Sequence, residues 1–234
     1  MKLWDVLVGS HAFGVSHPGS DYDYFSCYIA DSADILSGRV HIGGTNGGCH
    51  VSEGVATDGK KFDRQNHELW RWVDGAMNEN LNYMIGLFSP LPVEDRYGFL
   101  AELRTLVSKN RTTSIVASTL GMARSNLRKM EMHNTSGDEA RAIKNLRTSI
   151  RAIWFAERFI EGAQGAELFH NAPYVKNIPT GGLLSTLKDE VEILEERADR
   201  SSLPSHPDAE PFHEFQLRVR MACYSLTRNA PGGK

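Results

Sequence analysis

Cysteine is scarce in this 234-residue sequence, and long apolar runs are absent. The three cysteines, Cys27, Cys49 and Cys223, are far apart and form no CxxC pair, which argues against a structural zinc site and favours a reducing compartment. No apolar run approaches the ~18 residues expected of a membrane-spanning helix. The N-terminal MKLWDVLVGS lacks the apolar stretch of a signal peptide. We therefore expect a soluble, cytoplasmic protein with no membrane partner.

The sequence also lacks an excess of positive charge. Lysine and arginine together number 26 against 29 aspartates and glutamates, which gives a formal net charge of −3. Proteins that coat nucleic acid usually carry a clear positive excess, so this class is excluded, although a local basic patch is compatible with the total. With 41% hydrophobic and 24% charged residues, the composition is that of a globular protein with a sizeable core.

The order of the sequence patterns predicts an α/β domain followed by a helical one. The apolar run Leu3–Val8 ends at a Gly-Ser pair and predicts a buried strand, and the alternating YDYFSCYIA predicts a second strand. KKFDRQNHEL predicts a strand that leads into helices, and the helical spacing stops at SPLP, residues 89–92. The remainder is almost wholly helical. We expect a domain of residues 1–92 and a helical C-terminal domain of residues 93–234.

The stretch GSHAFGVSHPGSDYDY, residues 9–24, concentrates residues that can carry chemistry. Gly9 and Ser10 follow the first predicted strand, where backbone N–H groups and a hydroxyl can donate to phosphate oxygens. Asp21 and Asp23 are two residues apart, so on a strand both carboxylates face one side, which costs free energy unless a cation neutralises them. An Asp-x-Asp pair alone is common on solvated strands. The full combination favours a site for a divalent metal ion and phosphate.

The same stretch resembles a known family signature. Members of the DNA polymerase β-like nucleotidyltransferase superfamily have a Gly-Ser or Gly-Gly pair, a spacer, an Asp-x-Asp or Asp-x-Glu pair, and a third carboxylate on a later strand. More narrowly, the stretch looks like the pattern G-S-x-x-[YF]-G-x-x-x-P-x-S-D-x-D of RlaP-type predicted nucleotidyltransferases, which are linked to RNA repair and also occur in phages. Phe13-Gly14, Pro18 and Ser20-Asp21 match this pattern. Helical segments such as GMARSNLRKM resemble the family more weakly, and Gly86 stands where a Glu is usual.

The resemblance implies a minimal nucleotidyltransferase domain with a mixed sheet, an α/β fold, and a helical C-terminal domain. It also implies transfer of a nucleoside monophosphate from an NTP to an acceptor hydroxyl, with Mg²⁺ or Mn²⁺. The residues implied for phosphate binding are Gly9, Ser10 and Ser20. Those implied for metal binding are Asp21 and Asp23.

The third catalytic and metal-binding carboxylate is less clearly marked. We choose Asp63, because KKFDRQNHEL falls where the strand of the family leads into its next helix. Asp58 and Glu53 are the alternatives, and a surface or helix-capping role for Asp63 stays open.

A basic edge on the long predicted helix DEARAIKNLRTSIRAIWFAERFIEGA offers further candidates. At ~100° per residue, four cations fall within a sector of roughly 60° beside an apolar face; they are Lys144, Arg147, Arg151 and Arg158. One interpretation is a solvated face with ion pairs. The other is that Lys144 and Arg147 contact the triphosphate or an RNA acceptor, since arginine suits bidentate phosphate contact.

No motif specifies the acceptor. The resemblance to RNA repair proteins implies an RNA, such as a tRNA-like molecule. A net charge of −3 fits a protein or small-molecule acceptor at least as well. A degenerate nucleotide- or nucleic-acid-binding module that has lost turnover is a third interpretation.

Overall fold

The structure, a computed structural model, describes residues 1–38, 48–91, 94–169 and 183–228. Its strands are β1 (Lys2–Leu7), β2 (Tyr22–Tyr28), β3 (Cys49–Val55), β4 (Lys61–Glu68) and β5 (Glu94–Asp95). Its helices are α1 (Gly9–Ala12), α2 (Ser32–Leu36), α3 (Leu69–Met77), α4 (Leu81–Phe88), α5 (Phe99–Lys109), α6 (Ser114–Thr135), α7 (Glu139–Ile160), α8 (Leu183–Arg200) and α9 (Glu210–Arg228). A 3₁₀ turn spans Gly165–Phe169. The predicted α/β class is confirmed, because a mixed sheet is followed by a largely helical half.

The strands form one sheet in the order β3-β4-β2-β1-β5. Neighbouring strands pair antiparallel except β2 and β4, which run parallel with Asp23 opposite Asp63 and Phe25 opposite Gln65. A parallel pair needs a long connection, and here the chain passes through α2 and β3 between the two strands. The sequence patterns predict β1, β2 and β4 as strands, but no local pattern encodes the pairing of β2 with β4.

Alternation along β2 separates two faces of the sheet. Phe25 lies on the inner face, where its ring packs on Trp72 of α3 and Tyr83 of α4 with centroid distances of 4.6 and 5.1 Å. Gly86 lets α4 approach closely, because a Cβ there would lie 2.6 Å from the Phe25 ring. The absence of a Glu at this place therefore has a packing reason. Tyr24 lies on the opposite, outer face and is only partly buried.

The helical half is built around α7, which packs against both α6 and α8. Its buried face carries apolar residues at helical spacing, including Leu146, Ile150 and Ile153. Arg197 of α8 pairs with Glu157 of α7 at 2.6 Å. In the part of the chain that the structure describes, no helix is both long and apolar enough to cross a membrane.

The last described helix returns to the sheet. Arg220 of α9 donates to both carboxylate oxygens of Glu68 at 2.8 Å, and Glu68 is fully buried at the end of β4. The Glu68 carboxylate also accepts from the N–H of Trp70 at 2.7 Å and so caps α3. The two halves of the chain are therefore in contact. The predicted domain boundary, at residues 92 and 93, lies outside the described residues, and the division there stays a proposal.

Candidate active site

The turn after β1 brings the backbone against a carboxylate. Gly9 has a φ of +63° and begins the short helix α1, where the sequence predicted a loop. A Cβ on Gly9 would lie 2.1 Å from Asp23 Oδ2, so glycine alone allows this approach. The N–H of Val8 also donates to the carbonyl oxygen of Asp23 at 2.8 Å. Gly9 and Ser10 consequently lie beside the carboxylate of β2.

The turn before β2 is held by hydrogen bonds of its own. Ser20 Oγ accepts from the N–H of His17 at 2.9 Å, and His17 Nδ1 accepts from the N–H of Gly19 at 3.2 Å. Ser20 therefore shapes the turn, and its hydroxyl hydrogen can still donate to a ligand.

Asp23 and Asp63 are neighbours on the two parallel strands. They stand opposite each other in register, and both are partly buried. Burial raises the pKa of Asp23, the negative charge of Asp63 raises it further, and the positive charge of Lys144 opposes the shift. Asp63 Oδ1 is buried and accepts no hydrogen bond from the described residues. Asp21, exposed just before β2, adds a further negative charge that raises the pKa of Asp23.

The two alternatives to Asp63 lie elsewhere. Asp58 is in the turn between β3 and β4, where it accepts from the Tyr22 hydroxyl at 2.7 Å, and this bond lowers the pKa of Asp58. Glu53 is opposite Asp63 on β3 and is exposed. Neither Asp58 nor Glu53 is among the described residues that line the cleft around Asp63. The geometry thus favours Asp63 over both.

The carboxylates fit a metal ion as a pair rather than as a closed cage. Among the residues that the structure describes, no three His, Cys, Asp or Glu side chains are placed to hold a metal ion together. Mg²⁺ commonly takes only one or two protein carboxylates and completes its shell with water and substrate phosphates. The orphaned oxygen of Asp63, and the negative charge that raises the pKa of Asp23, fit a cation between these two residues.

Helix α7 contributes a positively charged wall. Lys144, Arg147 and Arg151 occupy successive turns of one helix face and line the cleft. Burial lowers the pKa of Arg151 to about 10, which leaves it cationic at neutral pH, and its guanidinium lies 5.0 Å from the centre of the Phe13 ring. The sequence places Arg151 on the basic edge, and its position one turn after Arg147 was the signal for a site residue. Arg158 instead donates to the carbonyl oxygen of Glu167 at 3.5 Å.

These elements surround one cleft with a volume of about 810 Å³, a size typical of small-molecule sites. The structure brings all the residues predicted for the site to its lining: Gly9, Ser10, Ser20, Asp21, Asp23, Asp63, Lys144 and Arg147. The lining also includes Phe25, Gln65, Asn82, Ile85, Met122 and Ile143. The sequence reasoning missed Gln65, although it follows Asp63 by two residues and so shares its strand face. Such a cleft can hold a polyanion, a divalent cation and a flat, less polar group together.

Comparison with known proteins agrees with this chemistry. The family model of RlaP, described as the RNA repair pathway DNA polymerase beta family, matches residues 2–169, which include the carboxylates and α7. A nucleotidyltransferase-like protein from Exiguobacterium sibiricum 255-15, known from a crystal structure, is similar at a TM-score of 0.31 and 12% identity, over 85% of this chain and 69% of that one. We infer neither fold nor function from so distant a likeness. No curated protein matches the chain. Because the family model covers most of the sequence, the protein belongs to the RlaP family, the RNA repair pathway DNA polymerase beta family.

Proposed function

We propose that the protein is a metal-dependent nucleotidyltransferase that transfers a nucleoside monophosphate from an NTP to an acceptor hydroxyl. The family assignment indicates a polymerase β-like nucleotidyltransferase. The observation that supports the finer proposal is the shared cleft, in which the paired Asp23 and Asp63 face donor groups on one side and the cations of α7 on the other. Phosphoryl transfer depends mainly on positioning and charge neutralisation, which is what this set of residues can supply.

The triphosphate is held by the polar side of the cleft in this proposal. The N–H groups of Gly9 and Ser10 and the hydroxyls of Ser10 and Ser20 donate to the β- and γ-phosphate oxygens. Lys144 and Arg147 balance the phosphate charge from the opposite wall. The nucleoside then contacts the apolar side chains of the lining, which include Ile85, Met122 and Ile143.

The carboxylates hold the metal and move the proton. Asp23 and Asp63 would bind Mg²⁺ or Mn²⁺, with the negative charge of Asp21 beside them, and the ion when bound neutralises phosphate charge and polarises the reacting oxygens. Asp63, whose Oδ1 accepts no hydrogen bond from the described residues, takes the proton of the acceptor hydroxyl. The hydroxyl oxygen forms a bond to the α-phosphorus, the bond from that phosphorus to the bridging oxygen breaks, and pyrophosphate leaves.

We propose RNA as the acceptor, because the family description names an RNA repair pathway. The test uses ATP, GTP, CTP or UTP labelled at the α-phosphate, with Mg²⁺ or Mn²⁺. It measures how much label is transferred to RNA, to total protein or to a metabolite pool. Label in RNA with release of pyrophosphate supports the proposal. Label in protein or in a small molecule would show that the acceptor is not RNA. NTP binding without turnover on any acceptor would contradict the proposal that the protein is an enzyme.

Two variants identify the third carboxylate. Asp63→Asn is expected to lower the transfer rate by about 100-fold or more, because it removes both the proton acceptor and a metal ligand. Glu53→Gln, which changes the facing residue on β3, is expected to keep the wild-type rate. The affinity for Mn²⁺ without NTP, measured by titration calorimetry, should fall in Asp63→Asn alone. A normal rate and a normal Mn²⁺ affinity in that variant would remove Asp63 from the site.

A further inference from the structure

The outer face of the sheet carries aromatic and cationic side chains that the proposed chemistry does not use. Tyr22 and Tyr24 of β2 lie beside Phe62 and Arg64 of β4, and Lys60 stands just before β4. We call these five residues the outer-face patch. Each of them is only partly buried. The patch lies on the side of the sheet opposite to Phe25 and the helices α3 and α4.

Rings and cations alternate across this patch. The ring centroid of Tyr24 lies 6.2 Å from that of Tyr22 and 6.2 Å from that of Phe62. The Arg64 guanidinium carbon lies 4.7 Å from the centre of the Tyr24 ring and 5.2 Å from that of Phe62. Lys60 Nζ lies 5.1 Å from the centre of the Tyr22 ring. These contacts hold three rings and two positive charges in fixed positions on an open surface.

Acidic groups near the patch orient it without covering it. Asp5 is buried beneath the patch and pairs with Arg64 at 3.0 Å, while the Arg64 side chain stays 28% exposed. Asp58 accepts from the Tyr22 hydroxyl at the edge, which leaves the ring faces unchanged. Both acids therefore fix the positions of Arg64 and Tyr22, and both of these side chains stay partly exposed.

We propose that the outer-face patch binds single-stranded nucleic acid. Nucleobases stack on exposed aromatic rings of a sheet whatever their sequence, and neighbouring cations contact the phosphates. The exposed parts of Lys60 and Arg64 can contact phosphates, whereas an apolar protein surface would bury these cations without giving them a new partner.

The patch and the cleft lie on opposite faces of the sheet and meet at the start of β2. Tyr22 lies between Asp21 and Asp23 in the sequence, and Tyr24 also borders the cleft. The ring of His11 in α1 lies 4.9 Å from that of Tyr22, at the same edge. A strand bound to the patch can therefore lead its end to the carboxylates. That this strand is the acceptor rests on the proposed nucleotidyl transfer; its binding to the patch does not.

The test is the affinity of the whole protein for a fluorescent single strand of about 12 nucleotides, a length within the site sizes of known single-strand binders. Fluorescence anisotropy is measured with RNA and DNA strands and with duplexes of equal length. We expect single strands to bind more tightly than duplexes. Tyr24→Ala and Phe62→Ala should each weaken binding by at least about fivefold, the loss of one stacked base, and Lys60→Ala should reduce the salt dependence by about one counterion.

Matched variants separate stacking from folding. Tyr24→Phe keeps the ring and should bind like the wild type, and Tyr224→Ala removes a tyrosine that is 58% exposed on α9. Thermal melts confirm that each variant is folded. The proposal is overturned if the wild type binds no single strand, if it prefers duplexes, or if folded Tyr24→Ala and Phe62→Ala bind like Tyr224→Ala.

The outcome is independent of the proposed function because NTP affinity is measured in the same proteins. Phe62→Ala, which changes a patch residue outside the cleft lining, should keep the wild-type affinity for NTP with Mg²⁺ if the patch binds only the strand. A protein that binds the strand but no NTP would contradict nucleotidyl transfer and leave the patch intact. A protein that binds NTP but no single strand would contradict the patch proposal and leave the proposed nucleotidyl transfer intact.

Discussion

Gly9 matters through the space it leaves open as well as through its φ of +63°. A side chain at this position would begin 2.1 Å from Asp23 Oδ2. Backbone N–H groups and a carboxylate can therefore approach one ligand together only while residue 9 is glycine.

We predict that Gly9→Ala separates backbone strain from loss of the site. Gly59, with a φ of +84° and no atom within 4 Å of its added Cβ, is the matched control. Gly59→Ala should lose about 1 kcal/mol of stability, measured by urea unfolding, because alanine resists a positive φ. Gly9→Ala should lose more, because its Cβ also displaces the Asp23 carboxylate. Only Gly9→Ala should also lose affinity for Mn²⁺ and NTP, by about tenfold or more, which corresponds to ~1.4 kcal/mol of binding free energy. Equal affinities in the two variants would show that the close approach is unimportant.

Single residues differ in how far the sequence predicts them. Asp21 and Asp23 are predicted because their chemistry is contained in one contiguous stretch. Asp63 needs an assumption about which strands are adjacent, and the parallel register with Asp23 supports the choice without testing its role. Gln65 and Arg151 share a face with Asp63 and Arg147 in the sequence pattern, but whether that face lines a cleft depends on packing between distant segments.

Among the helices, α6 depends on a distant residue for its first turn. Its own N-cap, Thr113, makes no side-chain capping bond. Glu79, between α3 and α4, accepts from the N–H of Thr112 at 2.7 Å and from the N–H of Ile115 at 3.0 Å. Glu79 is buried and has a φ of 46°, which is uncommon for a residue with a side chain. The start of α6 is therefore fixed by a long-range contact.

We predict a larger loss from this cap than from a local one. Glu79→Ala should lower the free energy of unfolding by ~3 kcal/mol, because several buried donors lose a charged acceptor. Asp31→Ala, which removes the cap that accepts from the N–H of Ala33 at 2.7 Å in α2, should cost about 1 kcal/mol. Urea denaturation of both variants gives the comparison. A cost for Glu79→Ala no greater than that for Asp31→Ala would contradict the role of Glu79.

The elements themselves were predictable where periodicity is strong. The alternation in β2 and the helical spacing in α6, α7 and α9 appear in the sequence and in the structure alike. The two-residue strand β5 is too short to give a pattern, and the Gly-Ser pair that opens α1 looks like a loop. Tertiary contacts decide such short elements.

At the scale of the whole molecule, a helix outside the family match contacts the sheet. The family model ends at residue 169, yet Arg220 of α9 pairs with the buried Glu68 of β4. The sequence predicts α9 as a helix, but it cannot predict a contact across 152 positions of the chain. The environment of β4 therefore depends on the C-terminal helix.

We predict that this contact carries more stability than its neighbour on the same helix. Arg220→Met should cost ~3 kcal/mol, because it leaves the Glu68 carboxylate buried without a counter-charge. Arg218→Met breaks a pair with Glu102 in which both side chains are about half exposed, and it should cost less than ~1 kcal/mol. Urea unfolding of the two variants measures the difference. Similar costs would mean that Arg220 is as dispensable as a surface residue.

Because the proposed site needs Asp23 opposite Asp63, the proposed activity depends on the register between β2 and β4. Successive side chains on a strand face opposite sides, so a slip of β4 by one residue would turn Asp63 outward and a neighbouring side chain inward. A molecule with that slip can be compact, rich in helix and well behaved on a column, and still be inert. Solubility and circular dichroism are therefore poor measures of the quality of a preparation. Under the proposed function, the fraction of molecules that bind metal is the better measure.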